Sequence, residues 1–111
     1  MREQPRDQER LLHIKKACDI LSQYTDKVDE KTIAADPMQF YGIVKLVEII
    51  GEATYKLTKE YRDSHPEIPW RMMEGMRHVL VHDYYRISPA QLLKTLKSDI
   101  PQLKVLIDSI V

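Results

Sequence analysis

The chain has 111 residues, 43% hydrophobic and 31% charged, which suits one all-α or mixed domain with a single core and leaves no room for a second fold. Its 17 basic and 17 acidic residues cancel, so composition supplies no global attraction for nucleic acid, and any basic surface must be made locally. The lone cysteine, Cys18, excludes an intramolecular disulfide and a thiol-rich zinc framework. With a polar N-terminus and no window near the roughly 18 apolar residues of a membrane span, the expected setting is a reducing cytoplasm, away from membranes.

In chain order, residues 1–6 read as a polar tail. From about Asp7 to Tyr24, Leu11, Ile14, Cys18 and Leu21 recur at three- and four-residue steps with Lys15, Lys16 and Asp19 between them, the pattern of an amphipathic helix. Thr25 to Ala35 offers only Val28 and Ile33 as apolar anchors and reads as a connection with room for one short helical turn. Asp36-Pro37 is a helix start, since Asp accepts from the free amides of the next turn and Pro has no amide to leave unsatisfied. A second long helix then carries Phe40, Ile43, Val44, Val47, Ile50 and Leu57 and is expected to end near Arg62; Gly51 and Ala53 leave room on it for a close neighbour.

Ser64-His65-Pro66 breaks that helix, and Pro69 opens a third containing Trp70, Met73, Met76, Leu80 and Val81. Tyr84 to Ile87 reads as a loop. Ser88-Pro89 repeats the cap-plus-proline start, and the last helix runs through Leu92, Leu96, Ile100, Leu103 and Ile107, with a bend expected at Pro101. No segment alternates as a strand does. Four amphipathic helices with modest connections predict an all-α, up-and-down four-helix bundle, with one short extra helix, formed by a single domain over residues 1–111. A bundle this small tends to leave an apolar face for a second copy, so a homodimer is expected.

Chemistry-bearing residues concentrate at the end of the third helix, where Arg77, His78, His82, Asp83 and Tyr84 follow one another. A histidine near a helix C-terminus can gain or lose a proton near neutral pH, as general acid–base catalysis requires. An arginine earlier on the same helix can bind a phosphate bidentately and stabilise charge developing on it. Duller roles exist for each: a solvated Arg, a capping His, a turn-forming Asp. His78 and His82 also have the four-residue spacing of two zinc ligands, but Val79 stands where the zinc-protease pattern has Glu, and no third ligand is evident. No metal and no cofactor are implied.

Arg77, four residues, His82, one residue and Tyr84 form an Arg-x4-His-x-Tyr motif. With Ile50-Gly51-Glu52-Ala53, the segment from Pro66 to Trp70 and Leu80-Val81-His82, the chain resembles the HEPN superfamily, and within it the HepT-like branch, from about Leu11 to Ile110. The resemblance implies a metal-independent endoribonuclease toxin of a type VII-like toxin–antitoxin system, with its cleft between two protomers. Carried over by position, Arg77 would bind the scissile phosphate and His82 would act as general base or acid, with His78 and Asp83 in support. The resemblance further implies a minimal nucleotidyltransferase antitoxin that neutralises the toxin by AMPylation of Tyr84; Tyr85 misses the motif by one residue. Adding a nucleotide there would set a negative phosphate beside Arg77 and His82 and repel RNA. Two other functions fit the same residues: a non-catalytic helical subunit that binds a nucleotidyltransferase and nucleotide or substrate, and a plain dimerisation bundle.

Overall fold

A computed structural model describes the backbone of residues 3–83 and 88–111 and the side chains of residues 6–77 and 88–111. All regular structure among the described residues is helical, and the chain is an all-α bundle. Helix α1 (Glu3–Ser22) buries Leu11, Ile14, Ala17, Cys18 and Leu21, the stripe that the periodicity predicts. It begins before the expected polar tail ends. Asp7, only 2% exposed, explains why this first stretch is held: its carboxylate accepts from the backbone N–H (3.0 Å) and the hydroxyl (2.7 Å) of Thr58.

Helix α2 (Glu30–Ala35) is the short helix expected in the first connection. It starts with a reciprocal cap in which Asp29 accepts from the Thr32 N–H and Thr32 Oγ1 accepts from the Asp29 N–H, both at 2.9 Å. Helix α3 (Pro37–Tyr55) starts as read, with Asp36 accepting from the Gln39 N–H at 3.2 Å. Its expected end near Arg62 is corrected, because α3 stops at Tyr55 and a separate helix α4 (Lys59–Asp63) follows. Thr58 decides this: its backbone is extended and its hydroxyl caps α4 at Tyr61, while its two donors are taken by Asp7. A tertiary hydrogen-bonded turn therefore interrupts an apolar pattern that is helical throughout, and among the described residues α4 joins α2 as a short additional helix.

Helix α5 (Trp70–Asp83) runs two residues beyond Val81. Helix α6 (Pro89–Lys94) opens on Ser88, whose hydroxyl accepts from the Gln91 N–H at 3.0 Å. It passes through a π-helical turn (Thr95–Asp99) into α7 (Ile100–Ile110). The disturbance expected at Pro101 takes this form, with the Ile100 N–H reaching back to the Thr95 carbonyl. Pro101 has no N–H for the carbonyl four residues earlier and its ring crowds that group, which a wider turn relieves.

Helix α3 is central, packed between α1 and α5; α1 also packs on α7, and α2 touches α3 and α6. Ile14, Ile50, Met73, Leu96, Leu103 and Ile107 are sealed in the shared core. At the outer edge of the α1–α7 contact, Lys15 and Lys104 alternate with Asp19 and Asp108, the cross-helix pairs lying at 2.7 and 2.8 Å. The Lys104 hydrogen bond holds the Asp19 carboxyl below its ordinary value, and the Lys15 hydrogen bond does the same for Asp108. Burial pushes the neighbouring Cys18 thiol up to about 12. Among the described residues no helix is long and apolar enough to cross a membrane.

Candidate active site

The third helix of the bundle, α5, is laid against α3 at one point of very close approach. Gly51 is buried there, and a Cβ on it would collide with the Arg77 backbone nitrogen and lie 2.9 Å from the Arg77 Cβ. The room expected of Gly51 is thus used by the motif arginine itself. Only glycine lets the two backbones meet at this distance, and the meeting sets where the Arg77 side chain leaves α5.

That side chain runs back over the last turns of α3. Its guanidinium lies over the ring of Tyr55, Cζ being 3.8 Å from the ring centroid, a cation–π contact that orients it without consuming its N–H donors. Glu52 reaches Nη1 at 3.6 Å. This is a single long contact, not the paired short bonds of a carboxylate locked on an arginine. Nε is buried without a hydrogen-bond partner among the described residues, while the side chain as a whole remains 23% exposed. Arg77 is therefore fixed in direction and still holds donors for an anion.

Arg62 braces this arrangement. Its Nη2 donates to the carbonyls of Thr54 (3.0 Å) and Tyr55 (3.3 Å) at the C-terminus of α3. Its Nη1 pairs with Glu74 at 2.8 Å, one turn before Arg77 on α5. The turn that carries Tyr55 and the helix that carries Arg77 are thus tied by one side chain. The Trp70 indole N–H, donating to the Arg62 and His65 carbonyls at 3.1 and 3.0 Å, closes the same corner. Neither Tyr55 nor Arg62 stands out in sequence; the available signal for Tyr55 is its place one helical turn beyond Gly51 and Glu52.

Because α5 is unbroken to Asp83, Arg77 and His82 share one helix, about 7.5 Å apart along its axis. The side chains of His78, His82 and Asp83 lie outside the described residues, as does Tyr84 entirely. The expectations placed on them, including the His78–His82 metal spacing, fall there. Among the described residues no three His, Cys, Asp or Glu side chains group as metal ligands. Two cavities of about 380 and 400 Å³ open along α1 and α3 around Ile20 and Leu46, and neither is lined by Arg77, Glu52 or Tyr55.

The family profile described as "Ribonuclease HepT-like" matches residues 14–110. A Thermococcus cleftensis protein named "Probable ribonuclease HepT" is 35% identical over 91 residues, covering 82% of this chain and 83% of that protein. A protein of Caldanaerobacter subterraneus subsp. tengcongensis, assigned by name as an RNase, is 33% identical over 94 residues, covering 85% and 84%. A Methanocaldococcus jannaschii protein, also assigned by name as an RNase, is 33% identical over 82 residues, covering 74% and 75%. No solved structure matches the chain. With Arg77 seated on α3 through Gly51 and the matched segment spanning most of the bundle, the chain belongs to the HepT-like ribonuclease family.

Proposed function

We propose that the protein is a metal-independent endoribonuclease toxin that works as a homodimer and is neutralised by AMPylation of Tyr84. The observation that carries the catalytic part is the state of Arg77: an oriented guanidinium at the end of α3, reached among the described residues by one distant carboxylate. RNA brings its own nucleophile. With the scissile phosphate on Arg77, the ribose 2′-oxygen attacks phosphorus as its proton passes to a His82 imidazole. The bond to the 5′-oxygen breaks, that oxygen takes a proton from a second imidazole, and a 2′,3′-cyclic phosphate is left. One acid and one base are needed at once, and two-fold symmetry supplies both from one residue type.

The outward face of α3 supports the dimer. Met38 is 85% exposed, and Tyr41 and Lys45 continue the same stripe at helical spacing toward the Arg77 end, leaving Tyr55 beyond it at the cleft; Leu12 of α1 is also uncovered. A second copy seated along this stripe reaches the site. In regulation, a minimal nucleotidyltransferase acting as antitoxin would transfer AMP from ATP to the Tyr84 hydroxyl with release of pyrophosphate, adding negative charge next to Arg77.

Purified protein is expected to cleave RNA in EDTA and to leave cyclic phosphate ends, with Arg77→Ala and His82→Ala each lowering the rate at least a hundredfold. Equal cleavage by His82→Ala would overturn the catalytic assignment and favour the non-catalytic partner subunit. Tyr84→Phe should remain toxic on expression and resist neutralisation. Sedimentation should give a dimer whose dissociation on dilution abolishes cleavage.

A further inference from the structure

Tyr55 makes contacts that neither the fold nor phosphate binding exhausts. It closes α3, it is 49% exposed, and one ring face is occupied by the Arg77 guanidinium. Its carbonyl is taken by Arg62, while its hydroxyl has no hydrogen-bond partner among the described residues. A tyrosine serving only the core would bury its ring and bond its hydroxyl. The other uncovered tyrosines among the described residues differ. Tyr41 leans edge-on against Phe40 in the first half of α3, and Tyr24 follows α1, so neither touches the motif arginine.

An aromatic ring one stacking layer away from a phosphate-binding cation has the layout in which proteins hold unpaired nucleotides, with the phosphate on the cation and a base on the ring. Phosphate and base are joined through one ribose, so a group that grips the first places the second within reach of the adjoining ring. A base inside a duplex is already stacked on both faces and cannot use the platform without leaving its helix. We propose that the open face of Tyr55 stacks an unpaired nucleobase beside the scissile phosphate. This rests on the ribonuclease function proposed above.

The test uses the full-length protein with His82→Ala, to prevent turnover, and a labelled single-stranded oligoribonucleotide followed by fluorescence anisotropy. Adding Tyr55→Leu should weaken binding on the order of 5- to 150-fold, the effect of losing one stacked base, whereas Tyr55→Phe should stay within about twofold. An abasic nucleotide moved along the oligonucleotide should, at one position, weaken binding comparably and erase the difference between Tyr55→Leu and its parent. A Tyr55→Leu penalty that persists at every abasic position would mean that Tyr55 acts through Arg77 alone, and would overturn the proposal. So would an abasic scan of the parent with no sensitive position, which needs no Tyr55 variant to fold. In either case continued RNA cleavage by the unmutated protein keeps the ribonuclease function standing. Absence of cleavage by that protein removes the ribonuclease function itself.

Discussion

Gly51→Ala should be destabilising although alanine is the better helix former, and Gly42→Ala in the same helix should be stabilising. A Cβ at Gly42 meets nothing within 4 Å, whereas one at Gly51 runs into the Arg77 backbone, which cannot swing aside as a flexible side chain can. Both substitutions gain up to about 1 kcal/mol of helix propensity. Subtracting one from the other cancels that gain and leaves the cost of overpacking two helix backbones, about 1–3 kcal/mol. For a chain of this size, 1 kcal/mol moves Tm by roughly 3–6 °C, so Gly51→Ala should melt from about 3 to 18 °C below Gly42→Ala. Thermal and urea unfolding at one protein concentration measure the difference. Cleavage by Gly51→Ala should fall even at temperatures where it remains folded, because the contact that is pushed apart is the one that seats Arg77. Coincident melting curves, or a more stable Gly51→Ala, would refute the claim that the close approach at Arg77 is structurally required.

Asp7→Ala should cost about 1–3 kcal/mol in urea unfolding, since it strands the Thr58 N–H and hydroxyl at a part-buried turn; Asp7→Asn should recover part of it. The Asp19 and Asp108 carboxyls are held low by Lys104 and Lys15, so their contribution to stability is present above the unfolded carboxyl pKa of about 3.9. It is lost as pH falls through the lower folded values. Lys104→Met should therefore flatten the fall in Tm below about pH 4 and reduce its dependence on salt. With its thiol pushed up to about 12 by burial, Cys18 should resist a thiol reagent at pH 8 in the native protein and react stoichiometrically once urea unfolds it.

Helix starts were legible wherever the signal was local and chemical. Asp36-Pro37 and Ser88-Pro89 begin α3 and α6 through the side-chain-to-amide bonds that those residue pairs predict. The end of α3 was not legible, because Leu57 keeps the apolar period while the break comes from Asp7, fifty-one residues away from Thr58 in sequence. A one-residue acidic side chain in a polar N-terminal stretch carries no sign that it will be buried. At the site, the motif and Gly51 pointed to Arg77 and to a close helix contact, but not to each other. Tyr55 and Arg62 were not legible for the same reason: a cation over a ring and a guanidinium on helix-end carbonyls are tertiary arrangements, created only when α3 stops where it does.

The neutral net charge, an argument against RNA binding at the level of composition, becomes informative once the pairs are located. Lys15, Lys45, Lys59, Arg62 and Lys104 each meet a carboxylate within 2.7–3.2 Å, while the contact of Arg77 is longer at 3.6 Å. Those pairs engage five of the 17 cations within and between helices, while Arg77 is set at the end of α3 with a longer contact. Binding of single-stranded RNA should accordingly depend only modestly on salt. If Arg77 from each protomer and the exposed Lys56 beside Tyr55 neutralise about two to four phosphates, log K should fall with log salt at a slope of about −1.4 to −2.8. Anisotropy titrations from low to high salt measure it, and Arg77→Gln should make the slope shallower by about the share of the lost contacts. A slope steeper than about −5 in the unmutated protein would reveal an extended cationic surface, and with it a mode of RNA capture that does not centre on Arg77.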